Sequence, residues 1–149
     1  MTIAVLCLAP VADSGSGDRG DFDPAQWMHG ANGLFDALRR VGPEGKPLVV
    51  YFNVDWCGYC RQFERELLGT GPVRSFLKGA LAVSINPEKG AKEGELARYY
   101  GVDGYPAFFV YGQRSRRLAR VERYRMAAGA PQLLSPDEFV AAVKEASAR

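Results

Sequence analysis

The chain has 149 residues, 47% of them hydrophobic and 24% charged, with a formal net charge of +2 at neutral pH. That length and composition suit one globular domain with a real core and exclude a disordered or fibrous chain. The near-balanced charge gives no strong steering toward nucleic acid, and no apolar run is long enough to span a bilayer.

The first twenty residues stand apart from the rest. Thr2-Ile3-Ala4-Val5-Leu6-Cys7-Leu8-Ala9 is a short apolar block, followed by the small, polar residues of Asp13 to Asp18. Together they resemble the apolar part of a secretory signal and a flexible mature start, although the positive leader is missing. The expectation is a signal-like remnant or flexible arm over 1–20 and a folded domain over 21–149. An exported, periplasmic setting follows, with a cytoplasmic one as the alternative. Membrane anchoring through a lipid on Cys7 is disfavoured, because the bulky Leu6 precedes it.

From Asp21 a lead-in segment, which includes a loop-like His29, runs into a helix. Its apolar stripe is Leu34, Phe35, Leu38 and Val41, and Gly42-Pro43 is expected to stop it. Leu48 to Val54 is rich in β-branched and aromatic residues and reads as a buried strand. Cys60, Phe63, Glu64, Leu67 and Leu68 then recur at the spacing of an amphipathic helix. Gly69-Thr70-Gly71-Pro72 breaks that helix, with a short continuation through Val73, Phe76 and Leu77.

Leu81 to Ile85 is a second strand, closed by Asn86-Pro87, and a helix around Glu93 to Tyr100 ends at Gly101. Ala107 to Tyr111 is a third strand turning at Gly112, with Leu118 to Tyr124 as its hairpin partner. Ser135-Pro136-Asp137-Glu138 is a helix start, with Ser as cap and Glu three residues later. Phe139, Val140 and Val143 give that helix its apolar face. The order βαβαββα implies an α/β fold, a mixed central sheet with helices on both faces.

Trp56-Cys57-Gly58-Tyr59-Cys60 lies where the central strand passes into the helix. Unpaired N–H groups and the positive end of the dipole stabilise a thiolate at a helix start, and only a thiolate attacks a disulfide. Three other readings of Cys-x-x-Cys are weaker. A zinc site needs about four ligands, and only Cys7 and His29 remain far upstream. Haem attachment wants His after the second cysteine, where Arg61 stands. A purely structural disulfide does not explain the strand-to-helix placement.

On these residues the chain resembles the thioredoxin superfamily. The Trp-Cys-x-x-Cys turn, the segment Tyr100-Gly101-Val102-Asp103-Gly104-Tyr105-Pro106 and the aromatic strand after it carry the likeness. The resemblance implies a thioredoxin fold and a cis bond before Pro106, which would lie opposite the cysteines beside a substrate groove. Lys46-Pro47-Leu48-Val49-Val50, Asp55-Trp56-Cys57 and Phe63-Glu64 are similar to the exported bacterial group that includes the C-terminal domain of the reductant transporter DsbD. Gly58-Tyr59 is similar instead to the disulfide isomerase DsbC.

One departure bears on mechanism. Many thioredoxins carry a buried Asp six positions before the first cysteine, and Tyr51 stands there. Glu64, one turn beyond Cys60, is the candidate replacement for proton exchange; a surface Glu paired with Lys or Arg is the alternative. Trp56 is read either as the rim of the groove or as core packing, and Tyr105 as a limit on what docks. Arg114, Arg116, Arg117, Arg120, Arg123 and Arg125 read as a solvated hairpin face rather than an anion site.

The resulting expectation is a protein-disulfide reductase. Cys57 attacks, Cys60 resolves, and no organic cofactor or metal takes part. Its partners would be disulfide-bearing proteins and an upstream thiol reductant, with no nucleic acid. An oxidase or isomerase with the same site, or a non-catalytic partner-binding module, are the alternatives.

Overall fold

Alternation along one strand organises the whole domain. The computed structural model describes residues 26–149, so the apolar block with Cys7 lies outside the described residues. Strand β2, Leu48–Phe52, is buried at every position. Successive side chains point to opposite faces. Leu48, Val50 and Phe52 therefore enter one core layer, while Val49 and Tyr51 enter the other.

Strands β1 (Met28–His29), β3 (Leu81–Ile85), β4 (Ala107–Gly112) and β5 (Arg117–Arg120) complete the sheet in the order β1-β3-β2-β4-β5. β1 and β2 run parallel to β3, β4 runs antiparallel to β2, and β5 antiparallel to β4. Helices α1 (Gly30–Glu44) and α4 (Ala91–Tyr99) cover the layer of Leu48, Val50 and Phe52. Helices α2 (Gly58–Phe63), α3 (Gly71–Lys78) and α5 (Pro136–Ala148) cover the other. This is the thioredoxin fold, with the mixed sheet and two-sided helical cover expected from the order of elements.

Several local expectations are corrected. His29 is not loop but the second residue of β1, paired with Ser84. Helix α1 does not stop at Gly42-Pro43. It runs to Glu44 and closes on Gly45, at φ 61° with its N–H bonded to Val41 O. Gly42 lacks the Cβ that makes a helical conformation costly before proline. The buried stripe of α1 is Ala31, Leu34, Ala37 and Val41, while Phe35 is 47% exposed.

The segment Leu118 to Tyr124 is not one strand. β5 ends at Arg120, and Tyr124–Ala127 (β6) pairs with Ala130–Leu133 (β7) in a separate hairpin. Ala128 and Gly129 both have positive φ, 50° and 79°, as a two-residue hairpin turn of the primed kind requires. Alanine in a position that usually carries Asn or Asp concealed that turn in the sequence.

At α5 the Ser135 side chain accepts from Glu138 N–H while the Glu138 carboxylate accepts from Ser135 N–H. Removing the serine oxygen leaves a helix-start donor without its partner. Ser135→Ala is expected to cost about 1 kcal/mol, or about 3 °C in Tm. Thermal unfolding followed by circular dichroism checks it.

Candidate active site

The cysteine pair sits where β2 gives way to helix. Cys57 N–H donates to Val54 O at 3.1 Å, bending the chain away from the sheet. Cys57 itself has extended backbone, φ −77° and ψ 104°, and is the cap of α2. Its Sγ accepts from Cys60 N–H at 3.0 Å. Cys57 and Cys60 are joined as a disulfide, their Cα atoms 5.2 Å apart. The backbone donor would favour charge on the Cys57 sulfur once the bond is reduced.

Both cysteines are nearly closed off in this state, Cys57 at 4% and Cys60 at 2% exposure. They join the cluster of Val54, Phe63 and Phe108, with Tyr105 packed at its edge. The aromatic residues next to them in sequence, Trp56 and Tyr59, are open. Trp56 is 67% exposed, so it is not core packing. Its indole N–H donates to the Glu88 carboxylate at 3.0 Å, and its ring meets Tyr105 edge-to-face with centroids 6.4 Å apart. Tyr59, between the cysteines, is 66% exposed. The Tyr105–Pro106 bond is cis.

Beyond Phe63 the helix widens into a π turn over Glu64–Leu68. Glu64, its first residue, is half-buried, and its Oε1 accepts from the Tyr51 hydroxyl at 2.9 Å. Burial raises the Glu64 pKa, while the Tyr51 hydrogen bond and the Arg61 charge oppose the rise. Burial, and then the Glu64 charge, push the Tyr51 phenol far above its ordinary value. Tyr51 is thus more than the absence of a strand carboxylate. It holds the carboxylate that the helix supplies, a partnership across thirteen residues that sequence spacing does not reveal. Both groups border an open cleft of about 390 Å³, lined also by Asn53, Asp55, Ser84 and Lys89.

The arginines are not simply solvated. Arg120 pairs with Asp103 at 2.9 Å and Arg125 with Glu138 at 2.6 Å. Arg123 donates to the Pro106 carbonyl at 2.9 Å. Arg114, Arg116 and Arg117 are exposed.

A family model for a thioredoxin-like domain matches residues 34–144. The chain belongs to the thioredoxin-like family. This thioredoxin-like protein is 29% identical over 89 residues to a thioredoxin domain-containing protein of Acanthamoeba polyphaga mimivirus, covering 58% of this chain and 24% of that one. It is 22% identical over 89 residues to the thiol:disulfide interchange protein DsbD of Colwellia psychrerythraea, covering 58% of this chain and 15% of that one. The chain therefore spans about a quarter or less of the length of these two curated relatives. Among solved structures, the oxidised C-terminal domain of Neisseria meningitidis DsbD matches with a TM-score of 0.57 at 21% identity. That match covers 80% of this chain and 98% of the domain, and it carries the fold. The thioredoxin-like protein holds its Cys-x-x-Cys pair at bonding distance.

Proposed function

We propose that the protein is a protein-disulfide reductase working on exported proteins. The observation that carries the reading is the Cys57 sulfur at the head of α2, accepting the Cys60 N–H and bonded to the Cys60 sulfur. In the reduced protein the Cys57 thiolate attacks a substrate disulfide, forms a mixed disulfide and expels one substrate thiolate. Cys60 loses its proton and attacks the Cys57 sulfur, which expels the second substrate thiolate. Two electrons pass to the substrate and the Cys57–Cys60 disulfide remains. An upstream thiol reductant must then restore the dithiol.

Residues 21–149 form the working domain and 1–20 the signal-like arm in this reading. The exported setting is supported by the apolar block of Thr2 to Ala9 and by the likeness to DsbD. Among the described residues no helix is long and apolar enough to cross a membrane. Trp56, Tyr105 and Pro106 line the groove where substrate lies. The reduction potential of the dithiol tests the direction of flow: a value of about −270 mV supports a reductant, and one of about −120 mV an oxidant.

Glu64 is the proton acceptor for Cys60 in this scheme. The raised pKa suits exchange with a thiol, and the cleft that Glu64 borders gives the carboxylate access to solvent. Glu64→Gln is expected to slow resolution of the mixed disulfide at neutral pH more than the first attack. Stopped-flow reduction across pH separates the two steps, and superimposable profiles for the two proteins would remove the role.

The same shift has a consequence for stability. With a folded pKa above the unfolded one, the unfolded chain ionises first as pH rises. Native stability is then lost as pH climbs from the unfolded value through the folded one. Glu64→Gln should therefore be the more stable protein at neutral pH. The gap should close on acidification below about 4.5, the ordinary glutamate value, in urea unfolding at a series of pH values.

A further inference from the structure

Residues 100–106 connect α4 to β4 and carry Tyr105, just before Pro106, against the cysteine cluster. The connection is pinned at its start by Val102 N–H on Ala97 O, 2.8 Å. Two arginines, three residues apart, reach it from the other side. Arg120 pairs with Asp103, whose side chain is 82% exposed. An ion pair in that setting contributes little.

Arg123 is placed differently. It is half-buried, and its Nη1 donates to the Pro106 carbonyl at 2.9 Å. Its guanidinium carbon lies 4.8 Å from the centre of the Tyr124 ring. Its backbone carbonyl accepts from Leu134 N–H at 2.9 Å, at the base of the β6–β7 hairpin. The same side chain borders a narrow notch with Tyr59, Gln62 and Glu66 on the cysteine helix and its π turn. One residue thus bonds both the hairpin base and the proline turn, and borders the helix capped by Cys57. A charge-assisted hydrogen bond from a stacked planar guanidinium has little freedom to drift.

We propose that Arg123 is a positioning residue for partner docking: by holding the Pro106 carbonyl it sets the Tyr105–Pro106 turn so that a polypeptide laid across it delivers its disulfide to Cys57. The partner class is an extended polypeptide segment carrying a disulfide. Such a chain must be aligned over several residues, and small errors of placement are costly in rate. A small disulfide without a peptide backbone has no such requirement. The inference rests on disulfide exchange at Cys57.

The test follows the reduced protein in single turnover against two oxidants, insulin and cystamine. For Arg123→Met, which keeps the apolar stem and loses every donor, the second-order rate with insulin is expected to fall about tenfold. The rate with cystamine is expected to stay within about twofold, because no backbone is aligned. Arg123→Lys, able to donate one hydrogen bond to the same carbonyl, should recover most of the insulin rate. Arg123→Leu, also without a donor, carries the same comparison should the methionine variant not fold. An unchanged insulin rate overturns the proposal, and so does an equal loss on both oxidants, which would mark a general distortion of the site. Wild-type protein inert toward both would instead defeat the exchange reading on which the proposal stands.

Discussion

Cys57→Ser should bring insulin reduction down to the rate of buffer alone, whereas Cys60→Ser should accumulate a stable mixed disulfide. The two outcomes differ because the sulfurs occupy different positions. The Cys57 sulfur caps α2 and accepts a backbone N–H, which favours the thiolate, while Cys60 lies inside the helix at 2% exposure. Serine at 57 leaves no nucleophile for the first step. Serine at 60 leaves that step intact and removes the one that releases substrate. Non-reducing electrophoresis after a pulse of insulin reads the trapped adduct directly. Alkylation at low pH gives a second reading: modification of Cys60 ahead of Cys57 would reverse the assigned roles.

Phe139→Ala should be the most damaging single change to the fold. Phe139 is 1% exposed, and its ring centroid lies 5.6 Å from that of Phe63 and 5.2 Å from that of Phe108. These three rings come from α5, α2 and β4, so the cavity would open behind the cysteine helix. Truncating a buried phenylalanine costs about 4 kcal/mol through lost transfer energy and an unfilled void. Phe139→Leu retains most of the volume and should cost about 1.5 kcal/mol. Urea titrations of the two variants check the order. A loss below about 1 kcal/mol for the alanine variant would show that the site collapses around the void.

Much of the architecture was readable because its signals are local. Leu48 to Phe52 announces a strand buried on both faces, and Ser135 with Glu138 announces a helix start. The cysteines fall at a junction that neighbouring residues define. What escaped depended on pairing at a distance or on backbone shape. The Tyr51–Glu64 hydrogen bond joins a strand to a π turn, and periodicity does not foretell a π turn. Arg123 reaches Pro106 across seventeen residues, so in sequence it looks like any other member of a basic run. The β6–β7 hairpin turns on Ala128, a residue that gives no warning of positive φ. Phe35 matches the helical stripe in being apolar, yet it lies one residue off the face that meets the sheet.

The borders of the main sheet are places where another chain could pair. An open strand border is a template on which a foreign strand can pair and seed a deposit. Here the β1 border is only two residues long, and the β5 border carries Arg117 and Arg120 at its ends. Too little straight backbone is offered on one side, and charge would have to be stripped of water on the other. In the small second sheet, β7 contains Pro131, which has no N–H to lend to a neighbour. Each border thus sets its own obstacle in the way of a foreign strand.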